Sequence, residues 1–341
     1  MSKNNYKIQT NAFIQLGEKL LNPDAQLQEM IKNEKHYNAW FTPENVLQAI
    51  NSIAKMLDEV SLNKWLNNYD FIDKPNNKRI GLILAGNLPL VGFHDVLCVL
   101  ITGNIALIKS SSQDARLIKY ILEMLVEIEQ SFINLYYFVD RLEGFDAIIA
   151  TGSNNSSRYF SYYFGNVPHI IRKNRNSLAV LSGNETPEQI YSLGFDIFDY
   201  FGLGCRNVSK LLVPTGYNFN FFFESIEKFE PIINHHKYNN NYGYNKSIYL
   251  VNSDRHFDNN FLLLKEDDRL ASPISVLFYQ YYNEIIDAES IINSQSFQIQ
   301  CIVTKMELKI SNQIVDFGKT QQPELWDYAD GVDTISFLLN L

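Results

Sequence analysis

Cysteine is scarce: the 341-residue chain has three, at positions 98, 205 and 301. No two of them form a Cys-x-x-Cys pair, which excludes a disulfide-stapled scaffold and argues against a structural zinc centre. G-x-G-x-x-G, the Walker loop, H-E-x-x-H and G-x-S-x-G are all missing, so the simplest nucleotide, metalloprotease and serine-hydrolase motifs are out. Basic residues are outnumbered, 29 against 38 acidic, giving a net charge of −9. That balance speaks against a nucleic-acid backbone as partner, and no nucleic acid is expected. Long apolar runs are absent too. The longest, Leu88–Ile101, is interrupted by His94 and Asp95 and is too short to span a bilayer. The opening MSKNNYKIQT lacks the apolar core of a secretory signal. The expectation is a cytoplasmic protein with no membrane span.

What is present reads as a two-domain α/β chain, long enough to bury a large core. Residues 1–72 carry helical periodicity. Thr42-Pro43-Glu44 combines an N-cap hydroxyl, a first-turn proline and a first-turn acid. Asp73–Asn77 reads as a linker. From Arg79 onward, short apolar runs alternate with helix-like stretches: Ile80–Leu84, Ile105–Ile108, Leu135–Val139, Ala147–Ala150 and Leu178–Leu181. Fully apolar strands separated by helices predict a parallel sheet covered on both faces. A second helix start, Thr186-Pro187-Glu188, precedes strands at Val208–Val213, Ser275–Tyr279 and Gln298–Val303. The Asn-rich Tyr238–Tyr244 reads as a surface loop. The expected division is residues 1–182, helices plus a dinucleotide-binding domain, and 183–341, a catalytic domain with a C-terminal tail that docks on a partner subunit.

Candidate chemistry is sparse. His235-His236 and Asp267-Asp268 read as a solvated loop and an exposed charged turn, and no metal site is expected. Cys98 and Cys301 sit in apolar runs and read as core. Cys205 differs. Glycines at 202 and 204 leave the backbone bare on its N-terminal side, and Arg206 would favour the reactive thiolate.

Four segments then stand in order: Leu84-Ala85-Gly86-Asn87-Leu88-Pro89, Thr102–Ser111 containing Ile108-Lys109, Ala150-Thr151-Gly152-Ser153, and Gly202-Leu203-Gly204-Cys205. Asn87, Lys109, Ser153 and Cys205 are spaced by 22, 44 and 52 residues. In this order they resemble the aldehyde dehydrogenase superfamily across residues 79–305. Gly92-Phe93-His94-Asp95 and Tyr328–Asp333 resemble, more narrowly, the LuxC-type acyl-CoA reductases. The resemblance implies a Rossmann-type parallel sheet domain plus a second α/β catalytic domain. It implies Cys205 as nucleophile, Asn87 as oxyanion donor rather than only a turn former, and Lys109, Ser112, Gly152 and Ser153 as cofactor-binding residues.

Departures from the pattern sharpen the expected activity. Aldehyde-oxidising members keep a glutamate that activates water, and here Arg172 takes its place. Without that base, hydrolysis of a thioacyl enzyme is poorly assisted, which suits reduction of a thioester to an aldehyde. Ser112 stands where NAD-selective members carry a glutamate, so NADPH is expected, with NADH as the alternative. The implied substrate is an acyl-CoA or an acyl-protein thioester. An acyl phosphate, or a non-catalytic protein keeping the cofactor shell, are the rival readings, and a homo-oligomer stays open. Ala271-Ser272-Pro273-Ile274 resembles the superfamily's Phe-Gly-Pro-Val, with no role assigned to Asp268 or Arg269 before it.

Overall fold

A computed structural model describes residues 3–71 and 77–341; residues 73–76 of the expected linker lie outside them. The chain divides into two units: Met1–Asn174 with Glu324–Leu341, and Arg175–Pro323.

Four helices open the first unit: α1 Lys3–Leu21, α2 Ala25–Asn33, α3 Pro43–Met56 and α4 Glu59–Leu66. Thr42 does cap α3, its Oγ1 accepting from the Asn45 N–H at 3.3 Å. Then follow β1 Arg79–Ile83, α5 Phe93–Ile101, β2 Ile105–Lys109, α6 Ala115–Ile128, β3 Tyr136–Phe138, β4 Ala147–Thr151, α7 Asn154–Phe164 and β5 His169–Arg172. The strands form an all-parallel sheet in the order β3-β2-β1-β4-β5. Successive strand residues point to opposite faces, and Ile80, Gly81 and Leu82 of β1 and Ala147–Ala150 of β4 are all buried. Both faces of the sheet are therefore covered.

The second unit contains β6 Asn176–Val180, α8 Pro187–Phe198, β7 Val208–Pro214, α9 Phe219–Ser225, α10 His236–Val251, β8 Phe257–Asp258, β9 Leu263–Glu266, β10 Val276–Tyr282, α11 Ile285–Ser294, β11 Ile299–Val303 and β12 Ile314–Val315. Its sheet order is β12-β11-β6-β7-β10-β9-β8, parallel except for β8 against β9. Alternation along β6 feeds two cores. Ala179 joins α8 residues Ile190, Leu193 and Ile197, while Leu178 and Val180 join Ala288 and Ile292 of α11.

Several expectations need correction. The run at Leu178–Leu181 belongs to the second sheet, because β6 pairs with β7 and β11; the division thus falls after Asn174, not at 182. The first sheet also has an edge strand, β5, beyond the apolar runs named above. Tyr238–Tyr244 is helical, inside α10, because Tyr238, Tyr242, Asn245 and Tyr249 recur on one buried face and that burial outweighs weak local propensity.

The C-terminal tail packs on the first unit. Leu325, Tyr328, Ile335 and Leu338 lie in the first unit's core, the last two on α12, Thr334–Leu339. Trp65 Nε1 donates to the Tyr328 hydroxyl at 2.7 Å, and Tyr69 donates to Asp333 at 3.0 Å. Burial pushes the His94 pKa down, so the neutral ring donates from Nε2 to the Leu325 carbonyl at 2.9 Å. Arg172 forms a buried ion pair with Asp95 and donates to Thr334 Oγ1 at 3.1 Å. These side chains are spent within their own unit.

Leu338→Ala removes a fully buried side chain and is expected to cost about 2–5 kcal/mol, read from urea denaturation. A tail that merely rested on a second subunit would instead leave the midpoint unchanged and alter the elution volume.

Candidate active site

In the first unit the chain winds outward from β1 in one direction through β2 and β3, then returns to β4 and β5. The strand order reverses between β1 and β4, and ligands of open parallel sheets bind beyond the carboxyl ends of the strands at such a point. Asn87, Lys109, Ser112, Gly152 and Ser153 all fall at those ends. Lys109 is the last residue of β2 and is exposed. Ser112 is exposed in the following loop, and Asn87 is half-buried in the β1–α5 loop.

That loop is built under tight constraint. A Cβ on Gly86 would lie 2.4 Å from Ser111 Oγ, so only glycine lets the two loops pass. Leu90 adopts a left-handed φ of 58°, and its N–H donates to Asp114 Oδ2 at 2.6 Å. Asp114 precedes α6, yet its side chain makes no cap hydrogen bond to that helix. Its carboxyl instead pins the turn carrying Asn87. Burial pushes the Asp114 pKa up to about 8, the Leu90 hydrogen bond opposing the shift and nearby Glu34 adding to it. Asp114 Oδ1 meets no donor among the described residues. Glu34 is also raised by burial, with Arg116 at 3.4 Å holding it partly down.

On the other side of β1, Ser153 caps α7, its Oγ accepting from the Ser156 N–H at 3.2 Å. A Cβ on Gly152 would meet Ser156 Cβ at 2.9 Å and Phe160 Cε2 at 2.8 Å, so the strand passes close over the first helical turn. A capped helix N-terminus, a bare glycine approach and an exposed lysine, at the ends of the two strands that flank β1, have the chemistry to hold the phosphates and ribose of a dinucleotide.

The second unit contains Cys205. It is exposed, whereas Cys98 and Cys301 are buried as expected. The sulfur sits on the turn Gly204–Asn207, immediately before β7. Three consecutive left-handed residues lead into it: Tyr200, Phe201 and Gly202 at φ 53°, 60° and 75°. The Cys205 carbonyl accepts from Ser177 Oγ at 3.0 Å. The Arg206 guanidinium donates to the Thr320 carbonyl at 2.5 Å and to Gln313 Oε1 at 3.2 Å.

The segment Ala271–Ile274 is held by its flanks. The Leu270 carbonyl accepts from Ser209 Oγ at 2.7 Å and the Ile274 carbonyl from Asn245 Nδ2 at 3.0 Å. Lys210, wholly buried on β7, donates to the Asp268 carbonyl and to Gln280 Oε1, both at 2.7 Å. Burial lowers its pKa to about 8. Asp267 takes Arg269 through two hydrogen bonds. Among the described residues no cluster of His, Cys, Asp and Glu has the makings of a metal site, and no helix is long and apolar enough to cross a membrane.

Arg172, which the resemblance sets in the place of the superfamily's glutamate, closes β5 and is buried in its ion pair with Asp95. Sequence reasoning passed over Asp114, Ser177 and Lys210. Only the first carried a signal, as a polar residue at a helix start, and that signal reads as an ordinary cap.

Residues 3–172 match the family model described as acyl-CoA reductase (LuxC); Cys205 lies beyond the matched span. No curated protein sequence matches the chain. Among solved structures, the fold is similar to aldehyde dehydrogenase 21 from Physcomitrella patens, at 12% identity and TM-score 0.66, covering 98% of this chain and 84% of that one. It is similar to 1-pyrroline-5-carboxylate dehydrogenase from Thermus, at 10% identity and TM-score 0.66, over 98% and 80%. A Mycobacterium tuberculosis aldehyde dehydrogenase complexed with NAD+ gives 11% identity and TM-score 0.65 over 90% and 76%. At these identities the likeness is one of fold, and the fold is that of the aldehyde dehydrogenases.

The buried Asp114 yields a signed pH prediction. Its pKa near 8 when folded exceeds the unfolded value of about 4, so folding favours the protonated carboxyl. The contribution is fully present below about pH 4 and is lost as pH rises through about 8. Asp114→Asn keeps an acceptor for Leu90 and removes the titration. The urea midpoint of the variant, relative to the parent, is expected to rise between pH 5 and pH 9; parallel profiles would refute the assignment.

Proposed function

The chain belongs to the LuxC family of acyl-CoA reductases, and from that premise we propose that it reduces a fatty acyl-CoA thioester to an aldehyde through a thioacyl-Cys205 intermediate, with NADPH as reductant. The observation that carries this reading is the exposed thiol of Cys205 on a hydrogen-bonded turn.

The Cys205 thiolate attacks the thioester carbonyl, and negative charge develops on its oxygen. Asn87 is the side-chain amide donor for that charge. As the tetrahedral carbon collapses, the carbon–sulfur bond to CoA breaks. The leaving thiolate has a pKa near that of cysteine, about 8.5, so no strong acid is needed. A reduced nicotinamide, when bound, supplies the hydride that takes the thioacyl carbon to the aldehyde level. The carbon–sulfur bond to Cys205 then breaks, freeing aldehyde and restoring the thiolate.

Hydrolysis is disfavoured because the residue at the base's position is a guanidinium. Arg172 cannot lose a proton in a protein, and Asp95 already holds it. For the nucleotide, Lys109 and Ser112 are the ribose-side contacts and Ser153 with the α7 N-terminus the pyrophosphate contact. The nearest acid along the chain from Ser112, Asp114, is turned inward to Leu90. No carboxylate therefore stands beside Lys109 in this loop to repel a 2′-phosphate.

The full chain is expected to oxidise NADPH with a fatty acyl-CoA and to form an acyl adduct that maps to Cys205. Cys205→Ala removes both, and Asn87→Ala lowers kcat by about 10²–10³. A parallel assay with acyl-carrier-protein thioester tests the donor. Adduct formation persisting in Cys205→Ala, or none in the parent at any chain length, would defeat the reading.

Cofactor choice is tested separately by fluorescence titration. Ser112→Glu is expected to weaken NADPH binding and strengthen NADH binding, and Lys109→Ala to weaken NADPH more than NADH. Equal affinities of the parent for both nucleotides would refute the NADPH assignment.

A further inference from the structure

We propose that Asn207, working with Ser177, is a positioning residue for the nucleophile: its amide fixes the turn that presents Cys205 and so sets the line along which the sulfur meets an acyl thioester. The inference rests on the reading of Cys205 as nucleophile.

Asn207 closes the turn from both sides. The Gly204 N–H donates to Asn207 Oδ1 at 2.8 Å, and the Asn207 N–H donates to the Gly204 carbonyl at 3.0 Å. Cys205 and Arg206 are the two residues between. The amide nitrogen is fully used as well, donating to the Asp196 carbonyl at 3.1 Å and to the Asp199 carbonyl at 2.9 Å. Both carbonyls lie at the end of α8, where the last turn of a helix leaves acceptors without intrahelical partners. The left-handed Tyr200–Gly202 segment turns the chain out of the helix there. One side chain, 3% exposed, thus joins the helix end to the cysteine turn.

Asparagine suits this position chemically. It offers an acceptor and two donors on one planar group. Aspartate of the same shape keeps the Gly204 contact but sets a carboxylate against two carbonyls. Alanine leaves buried groups on both sides unpaired. Ser177 adds the second tether: buried on β6, it donates to the Cys205 carbonyl at 3.0 Å and accepts from the Cys301 N–H at 3.3 Å. The turn is therefore fastened to α8 on one side and to the sheet on the other. Neither side chain donates to or accepts from Cys205 Sγ in any of these bonds. Their influence passes through the backbone.

The test compares two reactions of the same sulfur in the full chain, for the parent, Asn207→Ala, Asn207→Asp and Ser177→Ala, with folding checked by circular dichroism. Iodoacetamide alkylation across pH needs an exposed thiolate but no fixed approach. Formation of the acyl-Cys205 adduct from a fatty acyl-CoA needs alignment. In folded Asn207 variants the adduct rate is expected to fall between about 10- and 100-fold, while the alkylation rate and its pH midpoint stay those of the parent. Ser177→Ala shifts the adduct rate in the same direction and decides the matter should neither Asn207 variant fold. Parental adduct rates in the folded variants overturn the inference, as does a matching fall in alkylation, which would mean a lost thiolate rather than a lost alignment. A parent that forms no adduct at all defeats the proposed function instead.

Discussion

Burial of the sheets on both faces is the constraint from which the rest follows. A strand covered on both sides has almost no position for a free polar group, so polar side chains gather at the strand ends. Asn87, Lys109 and Ser153 follow β1, close β2 and follow β4 in this way, and Cys205 stands just before β7. The exceptions obey the same rule. Lys210 and Ser177 are buried within strands, and buried polar groups must be paired. Each is satisfied by a loop carbonyl, of Asp268 and Cys205 respectively. A polar side chain in the sheet thereby becomes a fastening for a loop outside it.

Loops at strand ends have no ladder to satisfy their backbone, so side chains must do it. Asp114 takes the Leu90 N–H, and Asn207 takes the Gly204 N–H. Both stand beside left-handed, non-glycine backbone: Leu90 in one case, Tyr200 and Phe201 in the other. Such conformations cost of order 1–3 kcal/mol each and persist where surrounding contacts over-determine them. The two turns that carry the proposed oxyanion donor and nucleophile are held by the same device, one in each unit.

Arg172 shows how one buried charge can organise the architecture around it. Its guanidinium is paired with Asp95 and bonded to Thr334. Removing either partner of a buried pair strands a charge, which is costly. Arg172 thereby ties β5, α5 and the C-terminal segment together. The two segments that single out the LuxC likeness, around His94 and around Tyr328, are brought together by this same packing.

Local features were legible in the sequence because their physics is local. The caps at Thr42 and Thr186 act over three residues, apolar strands announce themselves by composition, and glycines beside Cys205 mark a bare turn. The order and spacing of four short segments were enough to indicate the fold. Tertiary structure alone decided which sheet takes the run at 178–181, since an apolar strand does not name its neighbours. It alone made 238–244 helical, through burial of one face. It alone brought Trp65 to Tyr328, 263 residues away, and Arg172 to Thr334, 162 away. Propensity and capping reach across a turn or two. The choice of buried partners depends on the whole chain having collapsed around them, and no window of sequence contains that information.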